Sequence, residues 1–217
     1  MPLRSLYSSL PNSLRIDTIE SLCRKQERIA RIKTGCFDLK PITDNAKVSG
    51  HIKKLIKSKR KGTTSGLYAP NAPFNFAVIS LKENEYKKAR FIAFGLAGYK
   101  RGLTSEAQSL LNAIFGICPI TSIDLCFDTP KEPNIEAYKL IGGYYRKEFN
   151  THYINAPALY GIDKIKLYNK ALKDGLAVPL WRIEFTLPVS VSLRLYEPPI
   201  EDIEKIIEKI IVIVFDY

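Results

Sequence analysis

From residue 74 onward apolar and polar positions alternate with a period of two, the pattern of strands with one face in a core. FNFAVISL (74–81) and ARFIAFGLAGY (89–99) read as two such strands around the turn ENEY, which predicts an antiparallel hairpin. SEAQSLLNAIFGI (105–117) changes to helical spacing, with apolar residues at 110, 111, 114 and 115 and Ser105 as the expected N-cap. SIDLCFDTP (122–130) returns to a period of two, setting Ile123, Leu125 and Phe127 against Asp124, Cys126 and Asp128. Pro130 and Pro133 then open an expected helix through NIEAYKLIGGYYRKEF (134–149), interrupted by Gly142 and Gly143. ALYGI (158–162), KIKLYNK (164–170) and LWRIEFTL (180–187) read as three further strands, the last two joined by the turn ALKDGLAVP. A closing helix, IEDIEKIIEKIIVIV (200–214), carries a stripe of isoleucines expected to pack on the sheet.

The first 66 residues differ. TIESLCRKQERIARI (18–32) has the apolar spacing of a helix. HIKKLIKSKRKG (51–62) puts Ile52, Leu55 and Ile56 on one side, surrounded by Lys53, Lys54, Lys57, Lys59, Arg60 and Lys61 with no acid among them. GTTSG follows as a loop. The expected organisation is therefore a basic, helical N-terminal arm over 1–66 and a sheet domain over 67–217. The expected fold class is α+β: an antiparallel sheet flanked by helices, in two loosely repeated halves.

Charge alters the functional picture. With 33 Lys and Arg against 22 Asp and Glu the formal net charge is +11, which favours a polyanion, and nucleic acid is the commonest such partner. The acid-free arm is then a segment that tracks phosphates. No apolar run has the length of a membrane span and the N-terminus lacks a signal-peptide core, so a cytoplasmic protein without a membrane partner is expected. Cys23, Cys36, Cys118 and Cys126 match no metal-ligand spacing and are expected as buried free thiols. His51 and His152 stand alone, which excludes a histidine-rich metal centre.

In a basic chain the acids of SIDLCFDTP stand out. Asp124 and Asp128 lie opposite the apolar face of their strand, and Glu184 lies opposite Trp181, Ile183, Phe185 and Leu187 on another. If the two strands are neighbours, one face carries a carboxylate cluster. Oxygen-only ligands favour Mg²⁺, Mn²⁺ or Ca²⁺ over zinc, with Mg²⁺ or Mn²⁺ the expected cofactor. Asp124 and Asp128 are about 13 Å apart along an extended strand at roughly 3.3 Å per residue, too far for one ion to bind both directly. Asp124 and Glu184 are the preferred ligands, with Asp128 orienting a neighbour or capping the next turn. The alternative is that the acids form salt bridges with Arg182, Lys164 and Lys166. KIKLYNK adds Lys164, Lys166, Tyr168 and Lys170 to the polar side, and ALYGI adds Tyr160 before a glycine. Acids, lysines and tyrosines on one face are the ingredients for phosphodiester cleavage by a tyrosine nucleophile, leaving a 5′-phosphotyrosine and a free 3′-OH.

The order GLAGYKRGL, helix, ITSIDLCFD, ALYGIDKIKLYNKALKDG and WRIEFTL resembles the replication initiation factor family. These are initiators of rolling-circle plasmids and some filamentous phages, with relaxases of certain conjugative elements. Lys100 and Arg101 fall in its glycine-basic element, Asp124 and Asp128 in its acidic strand, Tyr160 and Gly161 in its tyrosine-glycine element. Tyr168 and Lys170 match its Y-D-K element, and Arg182 and Glu184 its R-x-E strand. The likeness spans roughly 74–188. Asn169 stands where Y-D-K has an acid, Ser122 where an arginine is common, and GID where G-S-R follows the tyrosine. The resemblance implies a histidine-free relative of the nicking-endonuclease fold, acting on DNA that is single-stranded at the nick of an origin or transfer site. Tyr160 is preferred to Tyr168 as nucleophile. Asp124, Asp128 and Glu184 would form the metal site, assisted by Lys166 and Lys170. The basic arm, Lys100, Arg101, Lys164 and Arg182 would hold DNA. Two other readings remain from the residues: a single-strand-binding module without catalysis, and self-association through the isoleucine-rich helix, giving a homodimer.

Overall fold

A computed structural model describes residues 14–23, 40–41, 66–69, 74–80, 89–98, 104–105, 107, 109, 111–112, 120–140, 143–155 and 162–187. The chain divides into two compact units, one of Leu3–Ile16 with Ser122–Tyr217, the other of Asp17–Thr121.

In the unit Asp17–Thr121, β1 (Leu14–Cys23, from Asp17), β2 (Lys40–Pro41), β3 (Gly66–Tyr68), β4 (Asn75–Ser80) and β5 (Ala89–Phe94) follow the order β2-β3-β4-β5-β1. The β4–β5 hairpin is the one expected, antiparallel, with Ser80 opposite Ala89. Its alternate positions are buried on both sides, Phe76 and Val78 on one and Ala77 and Ile79 on the other, and the Phe76 and Phe91 rings stack at 6.2 Å. Ser105, Ala107, Ser109, Leu111 and Asn112 are helical as expected. The cap is Thr104, however, not Ser105: the Ala107 N–H donates to Thr104 Oγ1 at 3.2 Å.

The expected helix over 18–32 is corrected at its start, because Thr18–Cys23 is the end of β1, paired antiparallel with β5. Ile19, Ser21 and Cys23 are buried at a spacing of two, while Ile16 is buried out of phase with them. The polar Ser21 in a core position hides the strand period. The expected boundary at 66/67 falls within β3 (Gly66–Tyr68). β3 pairs with β4 across it, so ladder hydrogen bonds stitch the end of the arm to the start of the sheet domain. The basic run 51–62, Lys100, Arg101, Cys36, Cys118, His51 and the closing helix lie outside the described residues. Cys23 and Cys126 are buried free thiols. Among the described residues no helix is long and apolar enough to cross a membrane.

The second unit contains β6 (Ile120–Thr129, from Ser122), α1 (Ile135–Leu140), β7 (Tyr144–Glu148), β8 (Thr151–Asn155), β9 (Lys164–Asn169), α2 (Lys170–Asp174) and β10 (Trp181–Leu187). Its strands run β6-β10-β9-β8-β7, each antiparallel to its neighbours. The core face is apolar in register: Leu125, Phe185 and Ile165 in one row, Ile183 and Leu167 in the next, each at most 2% exposed. Burying each such side chain contributes about 1.5–3 kcal/mol.

Two sequence expectations fail here for a local reason. Of the helix expected over 134–149, Ile135–Leu140 is helical, whereas Tyr144–Glu148 form β7, the first strand of a hairpin with β8. The hairpin turn is Phe149–Asn150, which lacks the Asn-Gly signature that would have announced it. The turn expected over 171–179 contains α2. Asn169 caps it, accepting a 2.8 Å hydrogen bond from the Leu172 N–H, and Gly175 closes it with a left-handed φ of 67°.

Candidate functional site

The strand registers place the polar residues of the second unit in three rows across one sheet face. Glu148, Thr151, Tyr168, Arg182 and Asp128 form the first; Arg146, Tyr153, Lys166, Glu184 and Cys126 the second; Tyr144, Asn155, Lys164, Thr186 and Asp124 the third. β10 lies between β6 and β9, so the expectation that the strands carrying Asp124 and Glu184 are neighbours holds.

The face is not the open surface the alternation suggested. Cys126 is fully buried, and Arg182, Glu184 and Tyr168 are at most 6% exposed. β10 is therefore covered on both sides, and its charged residues persist only because each is paired. Two clusters do the pairing.

In the first, Lys166 Nζ donates to Asp124 Oδ2 at 2.7 Å and to Glu184 Oε2 at 2.9 Å. The remaining oxygens are also occupied: Thr186 Oγ1 donates to Asp124 Oδ1 at 2.7 Å, and the Tyr168 hydroxyl donates to Glu184 Oε1 at 2.6 Å. Burial alone would lower the Lys166 pKa, but the two carboxylates outweigh it and push the ammonium well above the ordinary lysine range. Burial would likewise raise Glu184. The charge and hydrogen bond of Lys166, the Tyr168 hydroxyl and the Arg182 charge instead hold it below the usual carboxylate range. The site is thus a carboxylate–ammonium–carboxylate bridge spanning β6, β10 and β9. It reaches solvent through Lys166 and Asp124, whose side chains are 20% and 14% exposed.

In the second, Asp128 takes a two-point hydrogen bond from Arg182, Nε to Oδ1 at 2.6 Å and Nη2 to Oδ2 at 2.8 Å, with Arg15 Nη2 on Oδ2 at 2.6 Å. Burial opposes ionisation of Asp128, but Arg182, Arg15 and Lys170 prevail and its pKa is lowered. Asp128 is thus engaged apart from Asp124 and Glu184, as the four-residue spacing required.

The other expected residues are placed as follows. Tyr168 has its ring under the Lys173 ammonium at 4.5 Å. Lys170 begins α2 and pairs with Asp174 at 2.6 Å, away from the acid bridge. Lys164 lies on the polar face opposite Asn155 and Thr186. Tyr160 and Gly161 lie outside the described residues. Sequence reasoning missed Thr186 and Arg15. Thr186 shares the alternation of Arg182 and Glu184 and was within reach of the same pattern, whereas nothing in the local sequence of Arg15 ties it to Asp128, 113 residues away.

Among the described residues no three His, Cys, Asp or Glu side chains converge on one point. Two carboxylates do converge on one cation position, and their hard oxygen donors suit Mg²⁺ or Mn²⁺, which such sites commonly hold with one or two carboxylates plus substrate phosphate.

Neither a protein-family model nor a curated protein sequence matches this chain. Among solved structures, a rolling circle replication initiator protein from Geobacillus stearothermophilus is similar over 85% of this chain and 79% of its own, with 15% identity and a TM-score of 0.47. The TBP of Methanococcus jannaschii is similar over 94% of this chain and 99% of its own, with 11% identity and a TM-score of 0.40. Neither likeness assigns a function.

Proposed function

We propose that the chain is a DNA strand-nicking and joining protein that initiates rolling-circle replication or mobilisation of a plasmid, phage or integrated element, using a tyrosine nucleophile and Mg²⁺ or Mn²⁺. The observation that carries this is the convergence of Asp124 and Glu184, from strands 60 residues apart, on one cation position. The motif order that resembles the replication initiation factor family supports it, as does the net charge of +11.

Asp124 and Glu184 would hold the metal, with Thr186 and Tyr168 fixing the carboxylates through their second oxygens. When bound, the metal would polarise the scissile phosphate and stabilise its added charge. Lys166 would leave the bridge and turn its ammonium to the phosphate. Tyr160 is the proposed nucleophile, because the Tyr168 hydroxyl is buried and committed to Glu184. Attack by the phenolate oxygen forms an O–P bond to the 5′ side of the break and releases the 3′-oxygen, which takes up a proton. The duplex would be held by the arm 51–62, Lys100 and Arg101.

One observation favours a second reading. Every carboxylate oxygen of Asp124 and Glu184 is satisfied by the chain's own donors, as in a sheet that binds single strands without metal or catalysis.

A pool of random single-stranded oligonucleotides with a 3′ fluorescent label, incubated with Mn²⁺, separates the two. The nicking reading expects a covalent adduct on a denaturing gel that is lost with EDTA and with Asp124→Asn, and that maps to Tyr160 by mass spectrometry. Absence of adduct from the pool and from single-stranded phage DNA sinks it in favour of the binding module. An adduct persisting in the double variant Tyr160→Phe, Tyr168→Phe rejects both tyrosines.

A further inference from the structure

The rows of the polar face continue past the acid bridge to the outer strands of the unit, and their composition changes there. Lys166 stands directly opposite Tyr153 on β8, and Tyr153 directly opposite Arg146 on β7. The Arg146 guanidinium carbon lies 4.8 Å from the centroid of the Tyr153 ring. Beside this pair in the next row stands Tyr144, which is 61% exposed. None of the three faces the core, since the buried partners on these strands, His152 and Ile154, point the other way. Along β7 and β8 this face thus presents an exposed tyrosine ring, an exposed guanidinium and, beneath the guanidinium, a half-buried tyrosine ring.

We infer that Tyr153, with Arg146 and Tyr144, is a stacking platform for a base of single-stranded DNA, placed to receive the nucleotide next to a phosphate at Lys166. It rests on the reading of the chain as a protein that handles DNA single strands, and it adds a subsite that the acid bridge does not contain.

Three considerations carry the assignment. The first is chemical: a half-buried tyrosine carrying an exposed guanidinium, beside the exposed ring of Tyr144, offers a π-face and a cation together, and every base has a π-face to meet it, so recognition tolerates sequence. The second is distance. Adjacent strands are about 4.8 Å apart, so Tyr153 lies one strand from Lys166 and Arg146 two, a span of about 5–10 Å that suits one nucleotide and its neighbour. The third is charge, since the net +11 of the chain matches a phosphate backbone. Besides its contact with the Tyr153 ring, Arg146 makes an exposed ion pair with Glu148 at 3.1 Å, a contact weak enough to be exchanged for a phosphate or a base edge. Duplex DNA keeps its base faces stacked, so the platform discriminates in favour of unpaired strands.

The test uses a fluorescein-labelled twelve-residue oligothymidylate and a hairpin duplex, both in EDTA, so that no strand cleavage contributes. Tyr153→Leu is expected to weaken oligothymidylate binding about 5–150-fold, the range for loss of one base–aromatic stack. Tyr153→Phe, which keeps the ring, should bind as the wild type does, and duplex affinity should be equal in all three proteins. Photocrosslinking of the wild type to a 5-iodouracil oligonucleotide should label a peptide within 144–155. The inference is overturned if Tyr153→Leu binds the oligothymidylate within about twofold of wild type, if it loses duplex binding equally, or if the crosslink maps elsewhere. Adduct formation with Mn²⁺ is scored separately. A chain that nicks but is indifferent to Tyr153 loses only the platform, and one that binds through Tyr153 without forming adduct loses only the nicking reaction.

Discussion

Replacing Lys166 by methionine keeps the length and apolar stem of the side chain and removes only the charge that Asp124 and Glu184 share. The two carboxylates, 14% and 8% exposed, then face each other with no cation between them. Removing one partner from a buried ion pair costs about 3–5 kcal/mol, because the charge left behind is uncompensated. At this chain length each kcal/mol moves the melting temperature by about 2–4 °C, so the expected fall at pH 7.5 is about 6–20 °C. The pH dependence should change sign as well. In the wild type, Glu184 titrates below its ordinary 4.5, so its contribution is present above that pH and is lost as pH falls through the depressed value. Lys166 titrates above its ordinary 10.5, so its contribution is present below that pH and fades as the pH rises toward the raised value. Without the ammonium, burial dominates Glu184 and raises its pKa, so Lys166→Met should melt higher at pH 5 than at pH 8. Differential scanning calorimetry at both pH values, with and without Mn²⁺, reads each consequence. A variant melting within about 3 °C of wild type at pH 7.5 would refute the coupling of the two acids through Lys166. Failure of Mn²⁺ to restore part of the loss would refute the proposal that this position accepts a divalent cation.

Two further outcomes follow from the same face. Asp128→Asn strands Arg182, whose side chain is 4% exposed, and should lower stability by about 3–5 kcal/mol in urea denaturation. It should also remove the acid loss that Asp128, with its pKa held below 3.8, confers on the wild type as pH falls through that lowered value. Tyr168→Phe removes a hydrogen bond to a charged group and should cost about 1.5–3 kcal/mol while leaving the covalent DNA adduct intact; loss of the adduct at unchanged stability would make Tyr168 the nucleophile.

How much of this was legible in the sequence depended on whether the deciding physics was local. The period of two in SIDLCFDTP, KIKLYNK and LWRIEFTL was enough to set β6, β9 and β10 and to sort their side chains onto two faces, because alternation is a property of the strand itself. The pairing of β10 with both neighbours was only assumed, and ladder register is what turned a list of acids into a bridge. The polar partners were harder to see: whether Lys166 neutralises Asp124 and Glu184 or makes way for an ion is a matter of a few ångströms between strands, and the sequence left both options standing. β1 was misread because the polar Ser21 sits in a core position. The β7–β8 hairpin was missed because its turn is Phe149–Asn150 and its preceding glycines look like defects in a helix.

The cap of α2 bears on how the resemblance itself should be read. Asn169 occupies the middle of a tripeptide whose counterpart elsewhere is acidic, and here that side chain spends its oxygen on the Leu172 N–H. Asparagine and aspartate are near equals in that task. Position 169 therefore works as punctuation: it stops the strand just beyond Tyr168 and swings the backbone into a new direction, which is why Lys170 finds Asp174 and leaves the sheet. Three adjacent letters that look like a single chemical word divide into a member of the acid bridge, a folding signal and a surface ion pair, and an exchange of Asn for Asp in the middle would alter the spelling without altering the sentence.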